Sequence, residues 1–170
     1  MEIKEIESHI SKVPDYPKPG ILFYDISTLI FNKDAFSSSI KKLTDKVKDY
    51  EFDFIASIDA RGFLFGSALA YSLGKGLVMV RKKNKLPGKT ISYDYELEYG
   101  IDTLEINIEA KGKKFLLVDD LLATGGTANA ALELIKKAGG DTSCFLSLIE
   151  LTFLNGRKKI QVPMESLIQY

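Results

Sequence analysis

One cysteine, one histidine and no surplus of either charge mark this 170-residue chain. The lone Cys144 has no internal partner for a disulfide, and its apolar run from Cys144 to Ile149 reads as a buried, inert thiol in a reducing compartment. The one histidine, His9, reads as a surface residue of an N-terminal helix, so a Ser-His-Asp triad or any other histidine base would have to be drawn from there. Lys+Arg and Asp+Glu number 23 each, and this lack of basic excess argues against nucleic acid as a partner. No apolar stretch approaches the length of a membrane span, and the N-terminus lacks the apolar centre of a secretion signal. The expectation is a soluble, cytoplasmic protein without a membrane partner. Repeats and low-complexity segments are missing too, and the length suits one domain, 1–170, that buries its own core. Neither a GK[ST] after glycines nor a GxGxxG is present, which removes the Walker A and dinucleotide-binding fingerprints.

What is present is organised around Phe115 to Gly126, FLLVDDLLATGG. Phe115, Leu116, Leu117 and Val118 fit a strand buried on both faces, and Asp119 and Asp120 are expected at its exit, on a rim rather than inside. Ala123-Thr124-Gly125-Gly126-Thr127 follows, and then Ala128, Ala131, Leu132, Ile135 and Ala138 at the spacing of one helix face. Glycines permit a tight turn and close approach to a ligand. The unsatisfied N–H groups at the helix start, with the helix dipole, favour an anion of phosphate size. Two acids beside a phosphate cradle suit ribose hydroxyls or a metal.

Before this stretch, Ile3, Ile6, Ile10 and Val13 predict an amphipathic helix over 1–13. Residues Pro14 to Gly20 cannot be helix and read as a stiff extended arm that delivers Ile21 to Ile26 as a short strand or lid. A scaffold helix is expected over 34–48, with Phe36, Ile40, Leu43 and Val47 on one face. Phe52 to Ile58 reads as a strand running into Asp59-Ala60-Arg61-Gly62, followed by a helix from Phe63 to Leu73 that Gly74 stops. Arginine suits bidentate phosphate contact, whereas the plainer reading of Asp59 is a surface salt bridge with a lysine. Leu77 to Val80 is a further strand. The five cations between Arg81 and Lys89 do not look like packed structure, and Ile91 to Ile108 alternates as a β-hairpin about a turn at Gly100-Ile101-Asp102. Such a basic hairpin can close over a polyanion as a flexible flap, 81–108. Thr142 to Leu151 supplies one more strand, and 155–170 reads as a polar stretch. Strands alternating with helices predict an α/β fold, a parallel sheet with helices on both faces, with ligands outside the carboxyl ends of its strands.

The run Val118 to Thr127 resembles the signature for phosphoribosyl diphosphate (PRPP) in the type I phosphoribosyltransferase family. With Asp15 to Phe23, Ala60 to Gly66, Lys85 to Gly88 and Leu97 to Gly100, nearly the whole chain is similar to the adenine-specific branch of that family. The resemblance implies the type I phosphoribosyltransferase fold, with a small N-terminal hood arm, 1–33, and an inserted hairpin flap. It implies transfer of the phosphoribosyl group from PRPP to adenine, giving AMP and pyrophosphate, with Mg²⁺ held mainly by PRPP and with a homodimer as the working unit. Asp59, Ala60, Arg61, Arg81, Lys82, Lys85, Tyr99, Asp119, Asp120 and Ala123 to Thr127 (Ala123, Thr124, Gly125, Gly126, Thr127) are then the PRPP contacts. Leu22, Phe23, Tyr24 and Leu122 contact adenine, while Glu98, Arg61, Asp119 and Asp120 are catalytic. The family commonly has an arginine where this chain has Tyr24; the contact implied there is a backbone carbonyl, which any side chain leaves available. Three alternatives stay open: a non-catalytic PRPP-sensing regulator, a transferase for hypoxanthine, guanine or xanthine, and an Mg²⁺ receiver domain, which would need neither the TGGT loop nor the basic flap.

Overall fold

The structure is a computed structural model that describes residues 1–97 and 100–170. By its internal contacts the chain divides into two compact units, Met1–Lys42 and Leu43–Tyr170.

In the first unit, helix α1 (Ile3–Ser8) is shorter than the apolar spacing predicts, because residues Ser11–Pro14 form strand β1 and pair antiparallel with β2 (Leu22–Asp25). Strand pairing engages every second backbone group of 11–14, and it overrides a helical pattern that rested on Ile10 and Val13 alone. The stretch between the strands is closed rather than extended. Asp15 and Gly20 take positive φ, and the Asp15 carboxylate accepts the Gly20 N–H at 2.7 Å. Asp25 similarly accepts the Ser27 N–H at 2.9 Å, which starts a short helix, α2 (Ser27–Phe31), that sequence periodicity misses. Asn32 caps α3 (Lys33–Val47), its side-chain oxygen accepting the N–H groups of Asp34 and Ala35 at 3.1 and 2.9 Å.

The second unit is a seven-stranded sheet. Strands β3 (Phe54–Ile58), β4 (Gly76–Lys82), β7 (Lys114–Leu122), β8 (Asp141–Glu150) and β9 (Met164–Gln169) run parallel, whereas β5 (Ile91–Leu97) and β6 (Gly100–Ile106) join antiparallel at one edge, in the order β5-β6-β4-β3-β7-β8-β9. Helix α4 (Gly62–Leu73) links β3 to β4, and α5 (Gly126–Lys137) links β7 to β8. The expected α/β fold with helices on both faces is what forms. Ala56, Ile58, Phe115 and Leu117 pack with Ala131, Leu134 and Ile135 of α5. The alternate residue Ser57 faces the other side, where Gly66 of α4 lies against it.

Three expectations change here. The hairpin turn does not lie at Gly100-Ile101-Asp102, since Gly100 already pairs with Leu97. The hairpin is also no separate ribbon, because Arg81 and Lys82 pair with Glu105 and Leu104 and make it part of the main sheet. The polar-looking 155–170 contains β9, whose Leu167 and Ile168 are buried beside β8. In that short strand the apolar residues are too few to stand out from their neighbours.

The approach of α4 to β3 is close enough to test. A Cβ on Gly66 would lie 2.6 Å from Ser57 Cβ, so Gly66→Ala has no room without moving a buried strand. It is expected to cost about 1–3 kcal/mol, read as a lowered melting temperature, and Ser57→Gly in the same chain is expected to restore part of the loss. A Gly66→Ala variant melting with the wild type contradicts this packing.

Candidate active site

Because β3 and β7 are neighbours in register, Ser57 opposite Val118, the loops leaving them open side by side at one sheet edge. Together they line a crevice of about 420 Å³. Asp59, Ala60 and Arg61 come from the first loop, Lys82 from the end of β4, and Asp119, Asp120, Leu122 and Ala123 to Thr127 from β7 and its loop. Twelve of the residues singled out in the sequence thus meet in one place. Arg81 reaches Asp59, Nε to Oδ2 3.1 Å, and donates through Nη1 to the Lys85 carbonyl at 3.3 Å. The salt bridge foreseen for Asp59 therefore exists, but with an arginine on the adjacent strand. Glu98 and Tyr99 lie outside the described residues. Leu22, Phe23 and Tyr24 belong to the first unit, where all three lie on β2, the Phe23 ring stands edge-on to Tyr16, and Tyr24 is buried.

The two acids are not on a rim. Strand β7 continues through them to Leu122, leaving Asp119 half-buried and Asp120 only 4% exposed. The strand persists because β8 offers an equally long partner, with Asp119, Leu121 and Leu122 opposite Ser147, Ile149 and Glu150. A charge at that depth needs an opposite charge, and Arg61 supplies it, Nε to Asp120 Oδ2 2.9 Å. Burial, followed by the neighbouring Asp120 charge, pushes the Asp119 carboxyl well above the usual carboxylate range. Burial also raises Asp120, with Arg61 pulling the other way. The Asp119 Oδ1 accepts the Asp120 N–H at 2.8 Å. Gly62 lets α4 begin against these acids, since a Cβ there would stand 3.0 Å from Asp119 Oδ1 and 3.1 Å from the Val118 carbonyl oxygen.

The loop Ala123 to Gly125 ends at Gly125, whose φ of +80° turns the chain into α5. No side chain caps this 12-residue helix, so its first N–H groups and the positive end of its dipole are offered to the crevice. The loop leans on a residue that sequence reading passed over. A Cβ on Gly125 would come within 2.5 Å of the Gly156 carbonyl oxygen, and one on Gly156 would strike the Ala123 carbonyl. Gly156 sits in a 3₁₀ turn held by Arg157, which donates through Nε to the buried Glu150 at 2.7 Å, with Ser166 completing the carboxylate at 2.7 Å. Hydrogen bonds from Arg157, acting against burial, hold Glu150 below the usual carboxylate range. Asn155-Gly156 is legible as a turn, but nothing local says what the turn supports. Asp102 and Tyr95, which hold Lys82, escaped notice for the same reason. Lys82 and Arg81 are correspondingly not members of an unpacked basic loop.

The acid pair sets a pH dependence. A carboxyl whose folded pKa exceeds its unfolded one binds its proton more tightly in the native state, so stability falls as pH rises from the ordinary carboxylate pKa through the raised value. Asp119→Asn keeps an oxygen for the Asp120 N–H and removes the charge. It is expected to melt above the wild type at pH 8 and to converge with it near pH 4, followed by scanning calorimetry; a variant that melts lower at pH 8 refutes the buried like-charge reading.

Comparison with known proteins bears on the crevice directly. The phosphoribosyl transferase domain model matches residues 30–159. A curated adenine phosphoribosyltransferase of Rhodospirillum centenum is 50% identical over 168 residues, 98% of either chain. The crystal structure of adenine phosphoribosyltransferase from Thermoanaerobacter pseudethanolicus superposes with a TM-score of 0.96 at 48% identity, covering 99% of this chain and 100% of that one. The enzyme of Saccharomyces cerevisiae, solved with adenine and an imino-altritol bisphosphate, gives 0.91 at 37% identity over 97% of both chains.

Proposed function

The chain belongs to the phosphoribosyl transferase family, and we infer that it transfers the 5-phosphoribosyl group of PRPP to adenine, a purine-salvage reaction giving AMP and pyrophosphate. One observation carries the reading: a buried acid pair, an uncapped helix N-terminus and the cations Arg61 and Lys82 converge on a single crevice. The relatives at about half identity over their full length are named for adenine, and that supports the choice of base.

Breaking the anomeric bond of PRPP develops positive charge on the ribose and negative charge on the departing diphosphate. Cations at the leaving group therefore stabilise the transition state more than the bound substrate. Arg61, Arg81, Lys82 and Lys85 serve that end; Asp119 and Asp120 hold the ribose hydroxyls beside the developing charge, and Ala123 to Thr127 hold the 5′-phosphate. Leu22, Phe23 and Tyr24 of the first unit and Leu122 of the second are the residues assigned to adenine. Among the described residues no cluster of three or more His, Cys, Asp or Glu is placed to hold a metal ion, while the half-buried Asp119 makes no ion pair among them. Mg²⁺ is assigned mainly to PRPP's own oxygens, with no direct protein ligand. When bound, the ion supplies positive charge to the leaving diphosphate.

The working unit is a homodimer. Leu64 and Tyr71 on α4 and Leu77 and Met79 on β4 are exposed apolar residues, Tyr71 at 92%, and a second copy covering them is in keeping with the family. No helix among the described residues is long and apolar enough to cross a membrane. A cytoplasmic site of action suits the single thiol, which burial pushes up to about 11.

The deciding assay is AMP release from adenine and PRPP with Mg²⁺, using hypoxanthine, guanine and orotate as controls. Adenine pairs an N6 donor with an N1 acceptor and hypoxanthine reverses them, so the wrong base leaves backbone groups unpaired. Discrimination of roughly 10⁴ is expected. Comparable turnover of hypoxanthine means another base specificity, and PRPP binding without turnover means a sensor. Adenine must also lose a proton as N9 attacks, and Glu98 is assigned to its imidazole edge. Glu98→Gln is expected to lower kcat by about 10²–10⁴-fold with PRPP affinity nearly intact; loss of PRPP affinity alone makes Glu98 part of the closing flap instead.

A further inference from the structure

Lys82 is held by two residues to which the reading above gives no role. Its Nζ donates to the Tyr95 hydroxyl at 2.7 Å and to Asp102 Oδ2, while Tyr95 donates to the same Asp102 oxygen at 3.2 Å. The three side chains come from three adjacent strands. Tyr95 and Asp102 are direct partners across β5 and β6, and Lys82 lies opposite Leu104 on β4, two residues along from Asp102 and therefore on the same face. None of the three is loose. Tyr95 is 91% buried in the core that α5 covers, and Asp102 Oδ1 is fixed by the Thr103 N–H at 2.8 Å. The Tyr95 hydroxyl also lies 3.4 Å from Thr127 Oγ1, in the first turn of α5 where the phosphate loop ends.

An ion pair whose side chains are 37% and 29% exposed contributes little to stability. What the arrangement does is fix a direction. An ammonium has three donors, and with one on Tyr95 and one on Asp102 the third remains for the crevice that Lys82 lines. A lysine on its own flexible stem would have to be ordered at each turnover, at a cost in side-chain entropy, whereas here it is ordered beforehand. Burial lowers the Lys82 pKa, and the bonds to Asp102 and Tyr95 outweigh it and leave the group firmly charged.

We propose that Tyr95 and Asp102 are positioning residues that hold Lys82 as a preset donor to the leaving diphosphate, and that Tyr95 ties this cation to the 5′-phosphate loop through Thr127. The proposal rests on the phosphoribosyl-transfer reading above.

Its test uses inorganic pyrophosphate with Mg²⁺ as the probe, titrated calorimetrically into the wild type, Tyr95→Phe, Asp102→Ala, Asp102→Glu, Lys82→Met and the Lys82→Met/Asp102→Ala pair. Steady-state constants for PRPP and adenine are measured on the same proteins. Tyr95→Phe and Asp102→Ala are each expected to weaken pyrophosphate binding by about 5- to 30-fold, with the KM for PRPP rising and that for adenine within twofold. Asp102→Glu recovers part of the affinity, and in the Lys82→Met background Asp102→Ala changes it less than twofold. A merely structural pair gives the same loss with and without Lys82, which overturns the proposal. Tighter pyrophosphate binding by Asp102→Ala also overturns it, because Asp102 then competes with the diphosphate for Lys82. Tyr95→Phe removes one oxygen atom, so it carries the reading should Asp102→Ala fail to fold. A wild type that binds no pyrophosphate sinks the functional reading as well, whereas a binding wild type with unchanged variants sinks only this proposal.

Discussion

Two adjacent carboxylates inside a strand of the central sheet are an electrostatic liability, and much of the second unit is arranged around them. Desolvation disfavours charge on Asp119 and Asp120, and each charge disfavours the other. Arg61 answers at 2.9 Å, and it can do so because α4 starts immediately behind it at Gly62, flush against β7. A larger residue at 62 would lift the helix, and with it the arginine, away from the acids. The same liability is what makes the pair useful. Carboxylates held by strand geometry beside the crevice are acceptors already in place, and no backbone has to reorganise to present them.

The neighbouring cations are treated alike. Arg81 rests on Asp59, Lys82 on Asp102, and Arg61 on Asp120, so these three cations each have an acid beside them. A cluster of three unpaired cations would repel itself and wander. Paired, they are ordered at modest energetic cost, with their donors already in place.

At the other wall, main chain rather than charge sets the geometry. Gly125 and Gly156 touch backbone to backbone, and the 3₁₀ turn that bears Gly156 is fastened to the sheet through Arg157, Glu150 and Ser166. The loop Ala123 to Gly125 is thus backed by main chain from about thirty residues further along, which is how a loop of small residues keeps one shape.

Much of this was legible in the chain itself. The order of apolar runs gave the parallel sheet, and the strand, acid pair, glycine loop and helix from Phe115 to Ala138 lay consecutively, so local chemistry alone marked them as a site. Gly62 and Gly125 announced turns where the backbone must pass closely. What local pattern could not carry was partnership across the sheet. Sequence put Asp119 and Asp120 on a rim because it could not see that β8 is long enough to extend β7 past them. It read Arg81 to Lys89 as solvated because Asp59 and Asp102 are twenty or more positions from the cations they hold, and it ran α1 through to Val13 because the partner strand begins only at Leu22. Residue type and spacing determine which groups are available for chemistry; burial, charge pairing and the direction of each donor depend on distant segments brought into hydrogen-bond contact, and only the tertiary structure decides those.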